Sequence, residues 1–240
     1  MKRKILLASG VVVIVAAIAA YIGADFFLGA IVTKGVNRFG PGFTQTKVTL
    51  EGAHISPLSG SGTLTGLFVG NPAGWKSDKA FSFDEIHVEV APRSFFGDHI
   101  VVKELTIDRP VFVYETKMVS SNIGELLNNI SGTSSSGKAD AAANNGGKQM
   151  KFEIRHFRLT NGRVTLGVGS HALTIPMPPI DVKDIGTSQG GVPASQIAVA
   201  LMRAMSESVV VATTEAAGKI GKTMGAAARQ NIENLFGGKK

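Results

Sequence analysis

Alternating apolar and polar residues, typical of half-buried β-strands, dominate the middle of this 240-residue chain. They form a repeated unit: residues 48–69 and residues 81–108 each contain two β-branched runs joined by a proline-containing corner. A partial third unit follows at residues 152–166. Repeated units of this kind stack, so that each continues the apolar surface of its neighbour. The pattern predicts a mainly β protein with some helix, whose repeated antiparallel strands form one curved sheet.

One face of the predicted sheet is apolar. Ile86 and Val88 alternate with polar neighbours, as expected for a strand with one exposed side. Further along, Val102 and Leu105 have opposite parity, and a bulge at residues 103–104 would bring them to one face. The candidates for an apolar, lipid-binding groove are Ile86, Val88, Val90, Ile100, Val102, Phe112 and Tyr114.

The chain begins with an uncharged apolar stretch. Residues 5–22 are long enough to cross most of a ~30 Å hydrocarbon core as a helix, and the cations of residues 2–4 precede them. Because cations favour the cytoplasmic side, this predicts a single-pass transmembrane anchor in a bacterial inner membrane, with the rest of the chain in the periplasm. The alternative is a signal peptide cleaved near residues 17–19. Asp25 is interpreted as marking the outer interface, the alternative being a functional charge at bilayer depth.

Turn and helix signals organise the remainder of the chain. The Gly-Pro-Gly sequence at residues 40–42 predicts a turn before the first strand. Asn122, followed by Glu125, predicts a short helix that Asn122 caps and to which Glu125 reaches back. The Asn-Gly pair at residues 161–162 predicts a β-hairpin. The two prolines at residues 178–179 are expected to end a strand.

The last element is an amphipathic helix that begins after Pro193. Its narrow stripe of apolar residues is expected to pack on the protein's own sheet, the alternatives being a partner or a membrane. Three glycines weaken its middle, each by about 1 kcal/mol relative to alanine, which predicts a break near Gly218. The stripe comprises Ile197, Leu201, Met205, Val209, Ala212, Ala216, Ile220 and Met224.

The amino-acid composition excludes several kinds of functional site. The chain has no cysteine, which excludes disulfides, thiolate zinc sites and cysteine nucleophiles. The net charge is +7, but the basic residues are scattered or terminal, so we expect no nucleic-acid binding. The histidines and carboxylates show no recognised metal or catalytic spacing, so we expect no enzyme activity, metal or cofactor. Trp75 is interpreted as a plug at the end of the sheet, with a ligand platform as the alternative.

Several short motifs carry a resemblance. They are Leu-Ser-Gly-x-Gly at residues 58–62, Gly-Asn-Pro-x-Gly-aromatic at residues 70–75, Ile-Asp-x-Pro followed by Tyr-Glu at residues 107–115, and the stretch at residues 120–127. Together with the apolar start, they resemble bacterial AsmA-like proteins over residues 5–130. The resemblance implies an inner-membrane anchor and a periplasmic sheet curved into an open trough with an apolar inner face. Larger members are thought to conduct phospholipids between membranes, whereas about two and a half repeats could only shelter an acyl chain.

These observations predict five segments and a function. The segments are a membrane anchor (1–32), an AsmA-like β domain with a short capping helix (33–130), a flexible linker (131–148), further strands (149–186) and a C-terminal helical segment (187–240). The expected function is phospholipid handling, or support of outer-membrane and envelope assembly, through the apolar groove. Membrane lipids and envelope proteins are the expected partners. The alternative is a non-enzymatic envelope scaffold or interaction module whose dry core is covered by the C-terminal helix.

Overall fold

The computed structural model describes Gly23 and residues 27–135, 150–169 and 172–236, with side chains up to residue 219. The predicted anchor at residues 5–22, Asp25 and most of the predicted linker lie outside the described residues. The helices are α1 (residues 27–44), α2 (Asn122–Ser135) and α3 (Ala194–Phe236). The strand segments are β1 (Val48–Thr49), β2 (Gly52–Ile55), β3 (Ser61–Gly70), β4 (Lys79–Val90), β5 (His99–Asp108), β6 (Val111–Tyr114), β7 (Lys151–Thr160), β8 (Arg163–Leu166), β9 (Leu173–Pro176) and β10 (Ile180–Ile185). This mixed α/β fold, with one large sheet, agrees with the coarse prediction.

The ten strand segments occupy six positions in a single sheet, because eight of them are halves of longer strands. β5 and β6 lie end to end beside β4, and β7 and β8 lie end to end beside β5 and β6. β1 with β2 and β9 with β10 form the two edges in the same way. The order across the sheet is β1/β2, β3, β4, β5/β6, β7/β8 and β9/β10.

The sheet is mostly antiparallel, but the fully antiparallel prediction was wrong at one junction. β7 runs parallel to β5, and β8 runs parallel to β6. A parallel neighbour requires a crossover connection, and here that connection contains α2. The predicted hairpin at residues 161–162 was wrong for a related reason. β7 and β8 continue in one direction on either side of this pair, so the chain does not turn back there.

One row of residues, which we call the crease, crosses all six strands at the same level. The register places one residue of each strand in this row: Glu51, Gly66, Asp84, Arg109, Asn161 and Pro178. Gly66, Arg109 and Asn161 have φ values of 64°, 53° and 54°, which lie outside the β region. Pro178 cannot donate a ladder hydrogen bond. Four of the six strands are divided into two segments at the crease, whereas β3 and β4 pass through it as continuous strands.

The crease keeps one face of the sheet apolar along its whole length. Residues five apart in an unbroken strand point to opposite faces. Across the crease, however, residues five apart form two rows that both belong to one core cluster. The lower row is Ile86, Ile107, Leu159 and Ile180, and the upper row is Phe81, Phe112, Val164 and Ile175. In the four strands of these rows the side-chain alternation thus reverses once, at the crease, and the apolar side chains stay on the same side.

Helix α1 runs antiparallel to the edge formed by β1 and β2. The Asn37 side chain exchanges two hydrogen bonds with the backbone of Leu50, at 2.6 and 3.0 Å. Gly29 lies against the Ala53 carbonyl with no room for a Cβ atom. The predicted turn at residues 40–42 was wrong, because the helix continues to residue 44 and the chain turns at Gln45, whose φ is 55°. Close packing of the helix on the sheet overrides the helix-breaking signal of these residues.

Helix α3 packs on the apolar face, as the stripe predicted for residues 197–216, whereas the side chains of Ile220 and Met224 lie outside the described residues. Met202 and Val209 are fully buried, and Ser208 Oγ donates a hydrogen bond of 2.8 Å to the Pro178 carbonyl. The segment Ala194–Lys219 is long and apolar enough to cross a membrane, but 33% of its most apolar window is buried inside the protein. The predicted break near Gly218 was wrong, since the helix is continuous from Ala194 to Phe236.

Candidate functional site

The seven groove candidates lie on the same face of the sheet. The bulge predicted at residues 103–104 is confirmed, since the register between β4 and β5 shifts between Glu89 and Val90, which pair with Glu104 and Val102. This shift aligns Val102 with Leu105, and the crease then aligns Ile107 with Phe112. The strand carries its apolar side chains to one side only because it has both irregularities.

The candidates differ in how far the fold covers them. Ile86, Val90 and Phe112 are buried, with 7%, 6% and 0% exposure. Val102 and Tyr114 are half-buried and pack against the core cluster. Val88 and Ile100 are half-buried and lie outside that cluster. The upper end of the face is therefore closed, while Val88 and Ile100 keep part of their surface accessible near the lower end.

The opposite face of the sheet is polar. His87, Thr106, Arg158 and Asp181 form one row across β4, β5, β7 and β10. A cavity of about 730 Å³ opens on the lower part of this face, and its lining includes His54, Thr63, His87, Glu89 and Glu104. Among the residues that the structure describes, no three His, Asp or Glu side chains are close enough together to hold a metal ion.

Three ion pairs on the polar face involve histidines, and in one of them His99 Nε2 lies 3.3 Å from Oε2 of the buried Glu153. His156 Nε2 lies 3.0 Å from Asp181 Oδ1, and His87 Nε2 lies 3.3 Å from Glu85 Oε1. The hydrogen bond with His156 lowers the pKa of Asp181. The Asp181 carboxylate and the His87–Glu85 pair are largely exposed, and neither pair is joined by a nucleophile. These contacts stabilise neighbouring residues on the surface and do not form a catalytic constellation.

The motif residues of the sequence meet at the upper end of the sheet, around Glu115. Its carboxylate accepts hydrogen bonds from the backbone N–H groups of Lys76 and Ser77, at 3.0 and 2.8 Å. The Asn122 amide donates to Asn71 Oδ1 at 2.8 Å and to the Val113 carbonyl at 2.7 Å. The turn at residues 70–75, the Tyr-Glu pair and the start of α2 are thus parts of one buried polar network. Sequence reasoning missed this network, since nothing in the spacing shows that the three segments meet.

Trp75 and Glu125 belong to the same upper end. Trp75 Nε1 donates a hydrogen bond of 2.9 Å to Glu125 Oε2, and the Lys117 ammonium lies 4.2 Å from the centre of the indole ring. The predicted cap was wrong, because the Ser121 hydroxyl, not Asn122, accepts the Gly124 N–H, and Glu125 bonds Trp75. A ring engaged by both partners fits the interpretation of Trp75 as a plug.

A scan against protein-family models and a search of curated proteins find no match to this chain.

The buried Glu115 network gives a prediction for stability. Replacing Glu115 with alanine leaves the N–H groups of Lys76 and Ser77 without their acceptor, and we expect a loss of about 1–3 kcal/mol in the free energy of unfolding. Glu115→Gln keeps one acceptor oxygen and should lose less. Urea denaturation followed by the fluorescence of Trp75 measures both. As a control, Glu89→Ala removes an exposed ion pair with Lys103 and should cost about 0–1 kcal/mol; an equal effect of both alanine variants would contradict the network.

Asp108, beside the crease, gives a prediction for pH dependence. Its carboxylate accepts hydrogen bonds from Asn161 Nδ2 at 2.7 Å and Thr160 Oγ1 at 3.1 Å, and the Asn161 bond lowers the pKa of Asp108 from its ordinary 3.8. A lowered pKa stabilises the fold above the ordinary value, and this contribution disappears as the pH falls through the folded-state pKa. Asp108→Asn should therefore lower the urea midpoint at about pH 7 and change it little at about pH 2. Asp84→Asn is the control in the same region, and an Asp108→Asn effect that is equal at both pH values would refute the assignment.

Proposed function

We propose that this protein is a non-enzymatic, membrane-anchored envelope protein of the AsmA-like kind, which handles phospholipid acyl chains on the apolar face of its sheet. The observation that carries the proposal is the continuity of that face. Four neighbouring strands reverse their alternation together at the crease, so the apolar side chains of both halves share one side. Irregularities at the same level in neighbouring strands bend a sheet, which supports a trough with the apolar face inside.

The apolar segment at residues 5–22 supports the location. Its length suits a bilayer and the cations at residues 2–4 favour a cytoplasmic start. The sheet would then stand on the periplasmic side of the inner membrane, close to the lipid that it handles. The acyl chain would lie along Val88 and Ile100, the candidates that remain partly accessible.

A matched pair of substitutions tests lipid handling. Val88 and His87 are neighbours in β4 whose side chains point to opposite faces. Val88→Glu places a charge on the apolar face and should abolish most co-purifying phospholipid and most binding of a fluorescent acyl probe. His87→Glu places the same charge on the polar face and should leave both unchanged. Absence of lipid and of probe binding in the unmodified protein would overturn the proposal.

One observation favours the alternative function, a scaffold with a dry core. Met202 and Val209 of α3 are fully buried against the face that the lipid would use. In this version α3 never leaves the sheet, and the protein acts through envelope partners. Because Ser208 Oγ lies 2.8 Å from the Pro178 carbonyl oxygen, we choose a cysteine pair at Ser208 and Pro178 as the oxidisable link between α3 and the sheet, and non-reducing electrophoresis checks that the disulfide forms.

The protein in which α3 is linked to the sheet by the disulfide distinguishes between the two functions. If lipid enters beneath α3, oxidation of the Ser208→Cys, Pro178→Cys variant should remove the bound phospholipid, and reduction should restore it. The Ser208→Cys variant alone is the control. If oxidised and reduced proteins both lack lipid while envelope partners still co-purify, the scaffold is the correct function.

A further inference from the structure

Three connections and the start of α1 gather at the lower end of the sheet. The connections are residues 56–60 between β2 and β3, residues 91–98 between β4 and β5, and residues 186–193 before α3. Helix α1 runs antiparallel to β1 and β2, and its contact from Gly29 to Ala53 brings its first turn to this same end. The chain therefore enters the described structure where these connections turn.

Two of these connections present large apolar side chains to the exterior. Leu58 is 77% exposed and Phe96 is 93% exposed. The two tips are joined, because the Val90 N–H donates a hydrogen bond of 2.8 Å to the Gly60 carbonyl. Among the residues of the three connections, only Arg93 and Asp98 are charged. The lower end thus has two protruding apolar tips and few charges, which are Arg93 and Asp98 in the connections and Lys151 at the start of β7.

Exposure alone does not identify a partner for this surface. Met118 and Val119 are 101% and 98% exposed at the opposite end of the sheet. Those residues follow Glu115 and Lys117, and the chain does not enter from their side. The lower end differs from the upper end because it is the end at which the chain arrives from the apolar segment at residues 5–22.

The length of chain between that segment and α1 limits the distance of the segment from the lower end. Five residue steps separate Ile22 from Phe27, and even a fully extended chain covers at most about 18 Å in five steps. Leu58 lies in the tight turn that follows β2, five residues beyond Ala53 and therefore at most about 16 Å from it. The tips and the apolar segment thus lie at the same end of the sheet, within a short distance of each other.

We propose that Leu58 and Phe96 insert into the membrane that holds the N-terminal segment, on its periplasmic side. The sheet then stands with its lower end on the lipid head groups, and the partly accessible side of its apolar face opens at the bilayer. This inference rests on the anchor in the proposed function. The occupant is a lipid bilayer, because the surface carries few charges and the chain length keeps it beside a membrane-spanning segment.

Fluorescent labelling of single cysteines tests the proposal in the full chain, which has no natural cysteine. The variants Leu58→Cys and Phe96→Cys carry an NBD label in vesicles of phosphatidylethanolamine and phosphatidylglycerol. Met118→Cys is the matched control, since it is as exposed and lies at the opposite end. We expect a blue-shifted emission and strong quenching by doxyl-labelled lipid at positions 58 and 96, with neither at position 118.

Two other outcomes would overturn the proposal, and they differ in what they say about the anchor. If the chain resists carbonate extraction but labels at positions 58 and 96 behave as at position 118, the tips do not insert and the anchor stands. If the chain is released from the vesicles by carbonate, the anchor and the inserted tips are both wrong. Lipid handling on the apolar face is measured separately by the Val88→Glu comparison.

Discussion

Replacing Phe112 with alanine is expected to lower the free energy of unfolding by about 3–5 kcal/mol. Phe112 is completely buried, and its ring centre lies 5.5 Å from that of Phe81 and 5.9 Å from that of Phe83. The substitution leaves a cavity between the upper half of the sheet and the helices, which a close-packed core cannot fill by relaxation. Urea denaturation of the protein in lipid nanodiscs, followed by Trp75 fluorescence, measures the loss.

Val88→Ala is the control on the same face. Val88 is half-buried and lies outside the core cluster, so its truncation should cost about 1 kcal/mol or less. The difference between the two variants tests whether the upper half of the face is closed and the lower half accessible. Equal losses would contradict this division and, with it, the entry site proposed for lipid.

Gly60→Ala is expected to cost about 2–4 kcal/mol, the second large effect. Gly60 has a φ of 76°, a left-handed conformation that disfavours alanine. A Cβ atom there would also overlap the Val90 carbonyl oxygen and come within 3.2 Å of Pro92 Cδ. The substitution must therefore separate the tip that carries Leu58 from the tip that carries Phe96. The urea midpoint of the full chain reports the loss of stability.

Gly97→Ala is the matched control in the neighbouring tip. Gly97 has a φ of −113°, which any residue adopts, and a Cβ atom there would meet its nearest atoms at 3.8 Å. We expect its stability to change by less than about 0.5 kcal/mol. A tolerated Gly60→Ala would show that the two tips are not held together, and the insertion of both as one unit would lose its support.

Local patterns of apolar residues predicted the fold correctly where the whole pattern lies within one strand or one helix. Ile86 and Val88 alternate within one strand, and the stripe from Ile197 to Val209 lies on one helix. Burial of such a face is the main source of stability for the element, so the apolar period reports it directly. The bulge at residues 103–104 was predictable for the same reason, since it reconciles two parities within β5.

Two of the incorrect predictions, the turn at residues 40–42 and the hairpin at residues 161–162, concern places where two elements meet. The Gly-Pro-Gly sequence at residues 40–42 lies within α1, because packing against β1 offsets its weak helix propensity. Asn161 has the positive φ of a turn residue, but it serves the crease and the chain does not reverse. The residue type determines which dihedral angles a residue can adopt. Pairing with the neighbouring strands determines whether a residue with positive φ forms a turn or an irregularity within a strand.

The sequence by itself determined the alternating strands, the apolar stripe of α3, the lack of cysteine chemistry and the uncharged start of the chain, because each depends on residues close together in the chain. Only the tertiary structure decided that the irregularities of neighbouring strands lie in one row, that Glu115, Asn71 and Asn122 form a network, and that α3 covers part of the apolar face. These features depend on register and packing between segments far apart in sequence. No local pattern encodes the distance between them, and the energy that selects one arrangement comes from burying them together.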